Sequence, residues 1–181
     1  MAIALNLRIN DASAPAVTAL WDHASAFEDE ASMRALDYAP HLTLAVYDTG
    51  EVSDALARSA IECAAAGETA PSMTFNRIGT FAGPPLVLWA APEPQQSLAR
   101  MHAAIHAMID PMLCRLHYRP SFWVPHCTLA MRVREDRRDD ALAFAEGFRG
   151  GVHAVFDVID CVTFPPVRIT TEKRLPVATQ V

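Results

Sequence analysis

Hydrophobic and polar positions along the chain switch repeatedly between a strand-like and a helix-like spacing. Ile3 to Ile9 is a short β-like run, and Asn10 to Ser13 offer cap residues ahead of Pro15 in a first helical turn. Val17, Leu20, Trp21, Ala24 and Phe27 recur at helical spacing, which predicts an amphipathic helix with one core face. The acidic segment Glu28 to Glu30 leads through Leu36 and Tyr38 to a strand that runs from His41 to about Tyr47 and ends at Thr49-Gly50. Ser53 to Ala66 is rich in alanine, with Leu56, Ala60 and Cys63 on one side, and predicts a second helix closed by Gly67. Met73 to Phe81 and Leu86 to Ala90 read as two strands joined by the Gly83-Pro84-Pro85 turn. A third helix is expected over Glu93 to Ile109, with a core stripe of Leu98, Met101, Ile105 and Met108. A basic and aromatic connector, Arg115 to Ser121, then enters a strand from about Phe122 to Val133. A fourth helix over Arg134 to Gly147 and closing strands Val152 to Val162 and Val167 to Thr171 complete the pattern.

Part of this pattern occurs twice. Pro40-His41-Leu42-Thr43-Leu44-Ala45 returns as Pro125-His126-Cys127-Thr128-Leu129-Ala130, identical at five of six positions and offset by 85 residues. Phe75, Ile78, Pro84, Pro85, Leu86 and Leu88 return as Phe156, Ile159, Pro165, Pro166, Val167 and Ile169, offset by 81. A period this long is no solenoid repeat and points to two related lobes that face each other. The expectation is therefore one bilobal domain over residues 1–181, with a first repeat of about 1–90 and a second of about 86–175. Its class is α+β: two pseudo-symmetric lobes, each an antiparallel-rich β-sheet with outer helices, around a central cleft.

Alternate side chains of a strand share a face, so His41 and Thr43 point one way and Leu42 and Leu44 the other. The second copy places His126 and Thr128 opposite Cys127 and Leu129 in the same manner. Each motif strand thus has an apolar back and a histidine-plus-threonine front. Across a pseudo-twofold axis, two imidazoles and two hydroxyls converge on one volume. Histidine's ordinary pKa of about 6.5 makes both protonation states available near neutrality, so a pair supplies one acid and one base. That suits phosphodiester cleavage, in which one imidazole takes a proton from the attacking oxygen and the other gives one to the leaving oxygen. The threonine hydroxyls can donate to the non-bridging oxygens, where charge concentrates in the transition state.

The formal charge of −6 argues against a protein that grips long nucleic acid, and leaves room for a local site for one or two phosphates. The four cysteines have no C-x-x-C spacing, no apolar run approaches the roughly 20 residues of a membrane span, and the start is too soon polar for a secretion signal. The expectation is a reduced, cytoplasmic, monomeric protein without membrane contact.

The two tetrads, His41-Leu42-Thr43-Leu44 and His126-Cys127-Thr128-Leu129, resemble those of the 2H phosphoesterase superfamily, which includes the bacterial 2′-5′ RNA ligase-like proteins and cyclic phosphodiesterases. The resemblance spans nearly the whole chain, because the duplicated layout agrees as well. It implies that His41 and His126 are the catalytic pair and that Thr43 and Thr128 bind the phosphate. It also implies a 2′,3′-cyclic phosphate of a nucleotide or RNA end, or a related small cyclic phosphate, as substrate, with no cofactor and no metal. Some members carry a basic residue after the second tetrad, and Arg132 has the parity to share the face of His126 and Thr128.

Other candidates compete. Tyr47 shares the His41 face by parity and, with Phe122, is a candidate for stacking on a nucleobase; Tyr38 and Trp123 are further aromatics near the motifs. His102 and His106 have the i, i+4 spacing of a two-histidine metal site but lack a third ligand, and a solvated helix edge accounts for them better. His117, with Arg115 and Arg119, sits in an exposed connector. The leading expectation is a metal-independent phosphoesterase that hydrolyses a cyclic phosphodiester. The alternatives are 2′-5′ RNA ligation, with an RNA 5′-hydroxyl in place of water, and a non-catalytic module that only holds a phosphorylated ligand.

Overall fold

The computed structural model describes residues 1–177. Its elements follow the order β1 (Ala2–Ile9), α1 (Ala14–Ser25), β2 (His41–Asp48), α2 (Asp54–Ala65), β3 (Ser72–Phe81), β4 (Leu86–Pro92), α3 (Gln96–Met108), β5 (Cys127–Val133), α4 (Arg138–Gly147), β6 (Val152–Phe164) and β7 (Arg168–Arg174). All strand pairings are antiparallel. The seven strands form one sheet in the order β2-β1-β6-β3-β4-β5, with β7 also on β6.

The long strand β6 joins two halves. Val152 to Val155 pair with β3, whereas Phe156 to Phe164 pair with β1. One half is therefore β2-β1-β6-β7 and the other β6-β3-β4-β5, and the α+β class stands. The motif strands β2 and β5 are the outer strands of their halves, and they lie next to each other without pairing.

An unpaired strand edge exposes backbone groups that need partners. Here two indoles supply them. Trp21 on α1 donates its Nε1–H to the Thr128 carbonyl at 2.9 Å, and Trp123 donates to the Thr43 carbonyl at 3.0 Å. Glu28 accepts the Arg132 amide, and the Val46 carbonyl accepts the Arg115 amide. Helical residues Val17, Leu20, Ala57, Ala60, Ile61, Leu98, Met101 and Ile105 bury the apolar backs of the strands, including Leu5, Leu7, Leu42, Leu44 and Leu129.

Several local expectations are corrected. The second motif strand begins at Cys127 rather than Phe122, because the chain from Ser121 to His126 runs as a turn and an irregular segment. On α2 the buried stripe is Ala57, Ala60, Ile61 and Ala64, while Cys63 is exposed. On α3, Met108 is 42% exposed, and His102 and His106 are buried instead of lying on a solvated edge. The fourth helix starts at Arg138, after a 3-10 turn over Glu135–Arg137.

Candidate active site

Each motif histidine follows a proline, and each uses that step in the same way. His41 Nδ1 lies 2.9 Å from the Ala39 carbonyl, and His126 Nδ1 lies 2.7 Å from the Val124 carbonyl. A carbonyl only accepts, so each Nδ1 carries the proton and each Nε2 is left without it in the neutral ring. Burial lowers the pKa of both. His41 is pushed down to about 4, by burial first and by the neighbouring charge of His126 second, against the raising effect of its carbonyl bond. His126 is lowered by burial. The His126 charge is felt at His41, so the two rings lie close enough to interact.

The surroundings of the two motifs differ. Thr43 donates its hydroxyl to Asn6 Oδ1 at 2.9 Å, Asn6 Nδ2 donates to the Tyr38 hydroxyl at 3.3 Å, and Tyr38 donates to Asp160 Oδ1 at 2.6 Å. Asp160 Oδ2 is 2.9 Å from the Arg8 guanidinium, which also pairs with Glu172. The Tyr38 ring packs on the His41 ring with centroids 4.7 Å apart. Burial outweighs these hydrogen bonds and pushes Asp160 up to about 6; burial and the Asp160 charge push the Tyr38 phenol up as well. Sequence reading passed over Asn6, Arg8 and Asp160. Their signal was a polar residue inside an otherwise apolar strand.

Beside the second motif lies a pocket of about 520 Å³ lined by His126, Thr128, Phe81, Phe122, Met131 and His117, among others. Among the described residues the Thr128 hydroxyl makes no hydrogen bond. Trp89 stands behind His126 with ring centroids 5.9 Å apart, and Phe81 stacks on Trp89 at 5.1 Å. Phe122 is 58% exposed at this pocket, which keeps it available for stacking.

Two expected site residues fall elsewhere, for one reason. The β1–β2 register steps from Leu5 opposite Ala45 to Asn6 opposite Thr43, leaving Leu44 as an extra residue. The β4–β5 register steps likewise from Leu88 opposite Ala130 to Trp89 opposite Thr128, leaving Leu129 over. A β-bulge of this kind reverses the face of the residues that follow it, up to any further register shift such as the one between Ala130 and Val133. Tyr47 is therefore fully buried in the main core and cannot stack on a base. Met131 takes the place in the pocket expected of Arg132, and Arg132 lines a separate groove with Asp29, Glu30 and Ser32.

His102 and His106 also have a defined task. Both direct Nε2 at the Tyr118 carbonyl, at 2.9 and 3.0 Å, and His102 stacks on Trp123 at 3.9 Å. Burial lowers both, His102 to about 4. Among the described residues no three His, Cys, Asp or Glu side chains cluster as metal ligands. Cys127 is buried with its thiol pushed up to about 12, which suits packing rather than nucleophilic attack.

A family model described as the 2′-5′ RNA ligase superfamily matches residues 10–158. The chain belongs to this superfamily, the 2H phosphoesterases. Its members and structural neighbours are phosphoesterases and RNA ligase-like enzymes. Among solved structures, TT0787 of Thermus thermophilus superposes with a TM-score of 0.67 at 15% identity, covering 99% of this chain and 100% of that one. E. coli LigT complexed with 3′-AMP gives 0.65 at 14% identity, covering 96% and 97%, and LigT complexed with NADP+ gives 0.61 at 16%, covering 98% and 97%. No curated protein matches by sequence. At these identities the neighbours establish the shared fold.

Proposed function

We propose that this 2H phosphoesterase hydrolyses a cyclic phosphodiester, the 2′,3′-cyclic phosphate of a nucleotide or RNA end or a related small cyclic phosphate, by paired-histidine acid-base catalysis without a metal. The observation that carries the reading is the matched fixing of His41 and His126, each with its Nδ1 held by the carbonyl two residues back. Each Nε2 is thereby left for proton transfer. In the working state one ring is neutral and the other protonated. The neutral Nε2 takes a proton from a water whose oxygen attacks phosphorus, the bond from phosphorus to one ribose oxygen breaks, and the protonated ring gives that oxygen its proton. The Thr128 hydroxyl is a donor for a non-bridging oxygen. Thr43 fills the same role only by turning its hydroxyl away from Asn6. A nucleotide substrate is in keeping with the 3′-AMP found in a LigT structure and with exposed Phe122 beside the pocket. The family's description favours one second reading, 2′-5′ RNA ligation, in which a ribose 5′-hydroxyl replaces the attacking water.

The test is turnover of nucleoside 2′,3′-cyclic phosphates by purified protein in chelator. His41→Ala and His126→Ala should each lower kcat by about 10²–10⁴-fold while the thermal melt stays cooperative. Undiminished turnover in either variant would overturn the paired mechanism. Joining of a cyclic-phosphate RNA end to an RNA 5′-hydroxyl, with no opened phosphate released, would favour ligation.

A further inference from the structure

The pocket beside His126 faces a substrate that carries negative charge, yet neither lysine nor arginine is among its lining residues. Arg132 is turned away from it, and Arg8 in the other half is held between the carboxylates of Asp160 and Glu172. Beyond the two motif residues, the polar side chains of the pocket are Tyr118 and His117, set among Phe81, Val87, Phe122 and Met131.

His117 belongs to a 3-10 turn, Leu116–Tyr118, that lies over the end of β2. An exposed turn of three residues has little stability of its own, but this one is fastened on every side. The Arg115 amide donates to the Val46 carbonyl at 2.8 Å, and the Arg115 guanidinium pairs with Asp48 at 2.6 Å. Arg119 holds the Cys114 and Met112 carbonyls at 2.8 and 2.9 Å. The Tyr118 carbonyl takes both His102 and His106, two buried side chains directed at one acceptor. A side chain presented from so fixed a backbone keeps one position relative to the cleft, which is what a contact residue requires.

Resting on the phosphodiester reading above, we infer that His117 is a substrate-binding residue, which donates a hydrogen bond to a phosphate oxygen of the ligand that His126 and Thr128 engage. An imidazole has a ring N–H to donate whether neutral or protonated, and its bond to an anionic oxygen is charge-assisted. His117 thus supplies the phosphate contact that the sequence assigned to Arg132. A site whose counter-charge comes from histidines rather than fixed cations favours a ligand with a single phosphodiester charge over one with several phosphates.

The experiment titrates inorganic phosphate into the full chain while the histidine ring signals are followed by NMR, with His117→Ala providing the assignment. It is paired with turnover of a nucleoside 2′,3′-cyclic phosphate by wild type, His117→Ala and His117→Gln. Phosphate should shift the His117 and His126 signals with the same half-saturation. His117→Ala should raise KM about tenfold with a smaller change in kcat, and glutamine, which keeps a donor, should restore part of the loss. A shift at His126 without one at His117, or an unchanged KM in His117→Ala, would overturn the inference. Matched shifts in a wild type that turns over no cyclic phosphate would leave the phosphate contact standing and remove the proposed reaction instead.

Discussion

Next to Thr43 across the strand pair stands Asn6, and beyond Asn6 stands Asp160; next to Thr128 stands Trp89, and beyond Trp89 stands Gly79. Two motifs of nearly identical sequence thus sit in rows of the same register with opposite chemistry. On the His41 side the row is a hydrogen-bonded chain from Thr43 to Arg8 that occupies the threonine hydroxyl and braces the histidine through Tyr38. On the His126 side the row is filled by an indole, the threonine hydroxyl has no partner among the described residues, and an aromatic-walled pocket opens. The two copies share the histidine, the threonine and the carbonyl that holds each Nδ1. The positions beside them differ, with a hydrogen-bonded support on one side and an open pocket on the other.

Gly79 is where this contrast is most sensitive to change. A Cβ built there would lie 2.4 Å from the Trp89 ring, which cannot yield as the end of a flexible chain can. Gly79→Ala should cost about 2–3 kcal/mol in denaturant unfolding and should lower kcat/KM by moving the indole that backs His126. Wild-type stability in this variant would show that Trp89 is not fixed. The matching change on the polar side is smaller. Tyr38→Phe keeps the ring on His41 but removes the hydroxyl between Asn6 and Asp160, with an expected loss of about 1–2 kcal/mol and a lower kcat. An unchanged kcat would mean that ring contact alone holds His41.

The legible part of this architecture was the part written twice. The repeated His-x-Thr stretch set the faces, because parity holds over the few residues before the bulge, although the second copy becomes strand only at Cys127. Beyond Leu44 and Leu129 that parity failed, since a bulge inserts a residue that looks like any other strand leucine. Tyr47 and Arg132 were misplaced by that one step in each copy. His102 and His106 were misread for another reason: the carbonyl that buries them belongs to Tyr118, in a connector whose path no local pattern reveals. Asp160 lay unnoticed within the apolar β6 run, although a charge inside such a strand needs buried partners, and here it has Tyr38 and Arg8.

Acid should separate the two kinds of buried group by sign. His41 and His102 have folded pKa values of about 4 against 6.5 for an unperturbed histidine, so their contribution to stability is complete above 6.5 and is lost as pH falls toward 4. Asp160 runs the other way. Its folded value of about 6 exceeds the ordinary 3.8, so its contribution is present below 3.8 and is lost as pH rises through 6. Between pH 6 and 4 the carboxyl therefore partly offsets the histidines, by at most about 1.4 kcal/mol per pH unit for one proton. Asp160→Asn removes the offset, and its melting temperature should fall more steeply on acidification than that of wild type. The comparison is one of slopes, because the loss of the Arg8 pair lowers the variant at every pH. Parallel slopes would show that Asp160 stays ionised through this range, held by Arg8 and Tyr38 against its burial.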